Sequence, residues 1–320
     1  MSGRPALRIG TRGSALALWQ TERIRLRLTE AGHETDRIEI RTTGDMVQDV
    51  PLARIGSTAL FTRQIDEAML TGRIDLAVHS LKDLPTELPP GLALAAVGER
   101  EDPSDALVGR GPLRWREVPE GAVVATSSLR RRAQLLHARP DLRVVDLRGN
   151  VDTRLARLDA AEGWSAILLA AAGLLRLGLG HRIGERLPPE VMLPAPGQGA
   201  LAVTARADDA RAIAAARGAH HLPSALSVSA ERAFLRRMEG GCQVPVGARA
   251  VLEADRLSLH GRVIALDGSR MVEGRDAGVV REVQDAERLG AGLADRLLTE
   301  GAAEILTEVR AGAVPSVPEP

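Results

Sequence analysis

Leu7-Arg8-Ile9-Gly10-Thr11-Arg12-Gly13-Ser14-Ala15-Leu16-Ala17-Leu18-Trp19-Gln20 sets the pattern that the chain repeats. Leu7 to Ile9 reads as a short apolar strand, and Gly10 to Ser14 as a turn. Leu16, Trp19, Ile24 and Leu28 then recur at helical spacing. The same order returns where the apolar run Ile74 to Ser80 meets Leu81-Lys82-Asp83. It returns again where Val123 to Thr126 meets Ser127-Ser128 and an arginine-rich helix reaching about Arg139, and where Arg143 to Leu147 meets Arg148-Gly149-Asn150. Arg37 to Thr42, Leu92 to Val97 and Ala166 to Ala170 add further strands, and Phe61, Ile65 and Met69 form a helix stripe that Gly72 closes. Strands alternating with helices predict an α/β fold with mainly parallel sheets.

Punctuation divides the chain. Glu99-Arg100-Glu101-Asp102-Pro103 is a charged, proline-broken crossover, and Leu187 to Pro196 is a connector with four prolines. The apolar strand Leu201 to Ala205 is positioned to return to the first sheet. From Ala219 the pattern changes. A helix over about Ser224 to Met238 ends at Gly240-Gly241-Cys242, and Asp267-Gly268 joins the strands Leu257 to Leu266 and Met271 to Arg275 as a hairpin. A last helix carries Leu289, Leu293 and Leu297, and Val314 to Pro320 is expected to fray. We therefore expect a discontinuous α/β domain over 1–99 and 200–217, a second α/β domain over 100–199, and a small α+β domain over 218–320.

Composition narrows the function classes. The 320 residues carry 42 basic and 42 acidic side chains, so a wholesale nucleic-acid or membrane-surface field is not expected. No apolar run approaches the ~20 residues needed to cross a bilayer. The first fifteen residues lack a signal-peptide pattern, so a cytoplasmic location is expected. Only one of the 42 basic residues is lysine, Lys82, and the chain has one asparagine, Asn150, and one cysteine, Cys242. Lysine and arginine are not interchangeable at a built site, so the single lysine marks a candidate functional position. A single cysteine excludes an internal disulfide framework, and no metal site is expected.

Three strand-to-helix turns carry hydroxyls, a glycine or basic groups: Thr11 to Ser14, Thr126 to Arg131, and Arg148 to Asn150. Free N–H groups and the positive dipole end make helix N-termini anion sites, and arginine matches carboxylates bidentately. Capping serines with solvated arginines would give the same residues, but three convergent turns favour a small polyanion held between two α/β domains. Lys82-Asp83 follows a strand end, where open α/β sheets place ligand groups. An ammonium beside a carboxylate can bind an anion and handle a proton. Cys242, in a Gly-Gly-Cys-Gln loop, is either an accessible thiol or a small buried side chain.

Several motifs, in order along nearly the whole chain, resemble the porphobilinogen deaminase (hydroxymethylbilane synthase) family. They are Gly10 to Gln20, Val78-His79-Ser80-Leu81-Lys82-Asp83-Leu84-Pro85, Gly98 to Pro103, Thr126 to Arg131, Leu147 to Val151, Leu193 to Ala200 and Glu239 to Pro245. The resemblance implies two domains like periplasmic binding proteins plus a third that carries the cysteine. It implies a transferase of tetrapyrrole (haem) biosynthesis, a cytoplasmic monomer that joins four porphobilinogens head to tail with release of ammonia. It implies a dipyrromethane cofactor, linked by a thioether to the position of Cys242, which serves as primer. Arg12, Ser14, Lys82, Thr126, Ser127, Ser128, Arg130, Arg131, Arg148, Gly149 and Arg154 match residues that hold cofactor or substrate carboxylates. Arg176 and Gln198 match further binding positions, and Gln20 does so more loosely. Asp83 matches the catalytic aspartate, whose carboxylate would face the pyrrole N–H groups as positive charge develops.

One stretch departs from the pattern. Before Leu60-Phe61 the family shows a loop rich in glycine and lysine, where this chain has Arg54-Ile55-Gly56-Ser57-Thr58-Ala59. Arg54 keeps a cation, whereas Thr58 and Ala59 replace a usual lysine and glycine. Arg54 and Thr58 are thus expected to form an altered active-site loop. The residues alone leave open a different transferase, such as a phosphoribosyltransferase, and an anion-binding protein without catalysis.

Overall fold

The computed structural model describes residues 5–43, 62–238 and 244–312. Cys242 and the loop residues Arg54, Thr58 and Ala59 lie outside the described residues, as do Phe61 and the C-terminal Val314 to Pro320.

The first unit runs β1 (Leu7–Thr11), α1 (Ala15–Glu30), β2 (Thr35–Glu39), α2 (Arg63–Leu70), β3 (Leu76–Ser80) and β4 (Leu92–Val97). The second runs β5 (Asp105–Val108), β6 (Val123–Ala125), α3 (Leu129–Ala138), β7 (Arg143–Val145), α4 (Val151–Ala160), β8 (Trp164–Ala170), α5 (Ala171–Arg176) and β9 (Glu185–Arg186). The chain then returns through β10 (Leu201–Arg206) and α6 (Ala210–Ala216). It closes with α7 (Leu222–Arg237), β11 (Val246–Glu253), β12 (Arg256–Ile264), β13 (Met271–Val279), α8 (Val283–Leu297) and α9 (Ala303–Arg310).

Two mixed five-stranded sheets result among the described residues, ordered β2-β1-β3-β10-β4 and β7-β6-β8-β5-β9. The α/β class is as expected, but the sheets are less parallel than alternation suggested. β10 enters the first sheet antiparallel to both β3 and β4, with Leu201 opposite Ser80. β5 enters the second antiparallel to β8 and β9. Each is the strand that follows a crossover from the other sheet, so its direction is set by the crossover rather than by a helix within its own unit. Apolar side chains fill both faces of each sheet, Leu7, Ile24 and Val203 on one side of the first and Ile65, Met69 and Ile74 on the other.

The last sheet, β11-β12-β13, is antiparallel and covered on one face by α7 and α8 around Phe234, Leu259 and Leu293. The sequence reading anticipated the hairpin and missed β11, where Gly247 and Val251 on the outward positions blur the alternation. The expected strand Arg37 to Thr42 forms instead at Thr35–Glu39, pulled into register with β1.

The crossovers position the site. Glu101 N donates to Gly199 O at 3.0 Å, tying the outgoing segment to the returning one. Gly199 has φ +87°, and a Cβ there would lie 2.3 Å from the Glu101 carbonyl oxygen, so no other residue allows this approach. Buried Glu231 of α7 fastens both crossovers to the third unit. It accepts two bonds from Arg100, at 2.7 and 3.0 Å, one from Gly197 N at 2.8 Å and one from Ala250 N at 2.7 Å. Among the described residues no helix is long and apolar enough to cross a membrane.

Candidate active site

The C-terminal ends of β1 and β3 carry the first half of the site. Ser14 caps α1 by accepting from Ala17 N, and half-buried Arg12 precedes it. Burial, with the charge of Arg12, pushes the His79 imidazole down to about 4, which keeps it neutral at pH 7. The Gln20 amide donates to Ser80 Oγ at 2.9 Å, so this side chain braces the end of β3. Immediately after Ser80, Leu81–Asp83 form one turn of 3-10 helix with Leu81 buried beneath it. The turn lifts Lys82 and Asp83 out of the sheet while its base is anchored.

The second half sits at the ends of β6 and β7. Thr126, Ser127 and Ser128 brace the turn into α3: Ser128 N donates to Thr126 Oγ1, Leu147 N to Ser127 Oγ, and Arg131 N to Ser128 Oγ. Gly149 has φ +107°, and a Cβ there would meet the Thr153 methyl at 2.8 Å. That conformation opens α4 and lets Arg154 Nε donate to the Gly149 carbonyl at 2.8 Å.

Lys82 joins the halves. Its Nζ donates to Gln198 Oε1 at 3.1 Å, and Gln198 Nε2 donates to Pro103 O and to Asp105 Oδ1. Asp105, fully buried at the start of β5, accepts from Arg130 Nη1 at 2.6 Å and from Arg131 Nε and Nη2 at 2.9 and 2.7 Å. Arg130 also donates to Leu193 O, so its fork is engaged by the scaffold. Sequence reasoning missed Asp105. Its available signal was a carboxylate opening the apolar run Ala106-Leu107-Val108 in a chain whose next helix begins with three arginines.

Electrostatics draws the same groups together. Burial lowers the Lys82 ammonium to about 8; the neighbouring Asp83 opposes that shift, and Arg131 adds to it. Burial also lowers Arg154 to about 10, with Arg131, Arg148 and Arg157 pushing the same way and Asp83 opposing. Asp83 therefore lies within the field of Arg154 from the opposite unit, as well as that of Lys82. Arg176, at the end of α5, packs over the Trp19 ring at 5.7 Å and donates to Gly199 O, beside the crossovers rather than among the Arg131 group. Among the described residues no three His, Cys, Asp or Glu side chains could share a metal ion.

Two mixed α/β units, joined by paired crossovers, bring one lysine, arginines and a strand-end aspartate together, a set of charges that suits a small polyanion. Residues 7–214 match the family model "Porphobilinogen deaminase, dipyromethane cofactor binding domain", and 225–299 match "Porphobilinogen deaminase, C-terminal domain". The chain belongs to the porphobilinogen deaminase family. It is 52% identical over 312 residues to the porphobilinogen deaminase of Rubrobacter xylanophilus, covering 97% of this chain and 99% of that one. It is 51% identical over 310 residues to that of Desulforudis audaxviator, covering 95% and 98%. A solved structure of the methionine binding protein MetQ aligns with 67% of this chain and 89% of its own, at TM-score 0.43 and 14% identity.

Proposed function

We propose that this chain is a hydroxymethylbilane synthase, which joins four porphobilinogens head to tail and releases four ammonias. The carrying observation is the hydrogen-bonded chain that links Lys82 of one unit through Gln198 and Asp105 to Arg130 and Arg131 of the other, with Asp83 in the field of Arg154. Each porphobilinogen bears an acetate and a propionate, so a growing chain presents paired carboxylates at every ring. Arginine forks and helix N-termini suit that charge.

The donor set also fits dipyrromethane, two such rings with four carboxylates. Burial, together with the charges of Arg131 and Arg148, disfavours the Arg154 cation, a strain that an anionic guest relieves. Arg131, Arg154 and Arg148 would hold it, with Ser127, Ser128, Thr126, Gly149 and Lys82 alongside, and Cys242 as the attachment point. When bound, the group supplies a primer on which the product is built.

Asp83 is the catalytic residue in this reading. Its carboxylate accepts from the substrate pyrrole N–H and stabilises the positive charge that spreads over that ring as ammonia departs. It also takes up the proton that the new bond displaces. Lys82, held by Gln198, binds a substrate carboxylate. Arg12, Ser14 and Arg176 receive incoming substrate, while Gln20 supports the turn.

The working unit is a monomer in the cytoplasm, with neither nucleic acid nor membrane as partner, a reading supported by the balanced charge. Its domains are 1–99 with 200–217, 100–199, and 218–320. Intact mass tests the reading: the purified protein carries an excess of two linked pyrroles, and Cys242→Ser has the bare chain mass and no activity. Wild-type protein that is unmodified yet active would refute it.

A further inference from the structure

The outer face of the third sheet carries a feature that the proposed reaction does not use. In the register of β11-β12-β13, Arg249 lies opposite His260, and His260 opposite Arg275. Directly opposed residues share a face, so three basic side chains form one row across the sheet. Two residues further along the same face, Ser258 follows, and then Arg256. Burial lowers the pKa of the His260 imidazole, so it is neutral at pH 7 and the charges of the row are the two arginines on either side of it.

Among the described residues, neighbouring carboxylates compensate these charges only in part. Among the described residues no ion pair reaches Arg249, Arg256 or Arg275, although arginine ion pairs are frequent elsewhere in the fold. Of the nearby carboxylates, Glu253 lies opposite Arg256, Glu190 and Asp276 line the groove, and Glu273 is engaged by Arg262 at 2.6 Å and His260 at 3.1 Å. The Nε of Arg249 is buried and has no hydrogen-bond partner, an unusual state for a guanidinium N–H. The row forms the floor of a groove of about 710 Å3, walled by Pro189 and Glu190 from the connector. That volume lies within the roughly 300–1,000 Å3 typical of small-molecule sites.

We propose that this groove binds a small multivalent oxyanion, a polycarboxylate or polyphosphate, through Arg249 and Arg275 with His260 between them. Neighbouring strands are about 4.8 Å apart, so Arg249 and Arg275 stand about 10 Å from each other at the backbone. That separation favours a ligand with two or more anionic groups over a single small ion. Two such groups neutralise the Arg249 and Arg275 guanidiniums, which no ion pair reaches among the described residues. The site is remote in sequence and in the fold from Lys82, Asp83 and the arginines of α3 and α4.

Titration of the holoenzyme with citrate and, separately, with pyrophosphate tests this, read by the His260 ring resonances and by calorimetry. At least one anion shifts His260 saturably in the wild type, and Arg249→Gln/Arg275→Gln weakens that binding at least tenfold while leaving basal turnover unchanged. Exposed Arg275→Gln alone, which leaves the buried position intact, weakens it in the same sense. Citrate alone binding identifies a carboxylate site, pyrophosphate alone a phosphate site, and both a site that reads charge. If neither anion moves the His260 resonances, or if the double variant binds as the wild type does, the proposal is overturned.

Discussion

The Asp105 carboxylate bridges two neighbouring arginines of one helix, 2.6 Å from Nη1 of Arg130 and 2.7 Å from Nη2 of Arg131, with no exposed side-chain surface. Through Gln198 the same carboxylate is linked to Lys82 on the other sheet. One buried anion thus orients basic groups from both walls of the cleft.

Removing that charge should be costly. Burial alone would raise the Asp105 pKa, but the two guanidiniums outweigh it and hold the carboxyl below the usual carboxylate range. Asp105→Asn keeps the shape and leaves two buried cations uncompensated, a loss of about 3–5 kcal/mol by analogy with broken buried pairs. Urea unfolding at pH 7 should show it, and intact mass should show poor cofactor loading. Because the ion pair's contribution is present above the usual carboxylate range and disappears as acid protonates Asp105, the gap between wild type and variant narrows at low pH. Equal unfolding midpoints at pH 7 would contradict this role.

Arg130 and Arg154 should behave differently despite their shared motif setting. Arg130 is engaged by Asp105 and Leu193 O, so Arg130→Gln lowers stability first. Arg154 sits among Arg131, Arg148 and Arg157, and burial with those charges lowers its pKa to about 10. Arg154→Gln should therefore leave the stability of the apo-protein unchanged or raised, and still block cofactor loading. Urea unfolding of the two apo-variants beside their intact masses separates the effects.

Much of this was legible in the chain. The alternation of strand, turn and helix gave the α/β class, and the turn residues Arg12, Lys82-Asp83, Ser127-Ser128 and Arg148-Gly149 reappear at strand ends, where the motif reading put them. What local patterns could not supply was direction and long-range pairing. β5 and β10 run antiparallel because each follows a crossover, and a 3.6- or 2-residue period carries no such information. Asp105 and Glu231 escaped notice for a related reason: their partners are 25 and 131 residues away. β11 was missed because its outer face mixes Gly247, Arg249, Val251 and Glu253 and so gives no clean polar-apolar alternation.

Lys82 predicts a pH dependence. Its ammonium is lowered from 10.5 to about 8, chiefly by burial. In the free enzyme the charge that receives a substrate carboxylate is lost as pH rises through about 8, so kcat/KM falls on that limb. Lys82→Arg, which stays charged, should remove the limb near pH 8 from the kcat/KM profile even if its overall rate is lower. Stability moves the other way: protonated Lys82 is disfavoured in the fold, so the stability of the ligand-free protein rises with pH between about 8 and 10.5. Kinetics and unfolding across pH 7–10.5 check both signs.

Glu231 couples the third unit to the crossovers, and unfolding can read this coupling. Trp19, Trp115 and Trp164 are the only tryptophans, and all precede α7. Fluorescence thus follows the first two units, whereas circular dichroism follows all three. Glu231→Ala removes four accepted bonds and leaves Arg100 without its carboxylate, so stability falls by about 3 kcal/mol or more and the midpoint with it. The two probes should then separate more than in the wild type. Coincident transitions with a wild-type midpoint would show that the contact does not couple the units.

The most direct test of the central claim is the intact mass and turnover of Asp83→Asn beside the wild type. Both should carry the mass excess of two linked pyrroles, since Asp83 is not a cofactor-holding group, while turnover of porphobilinogen falls at least about 10²-fold in the variant. A variant that is fully loaded and turns over at the wild-type rate would contradict it.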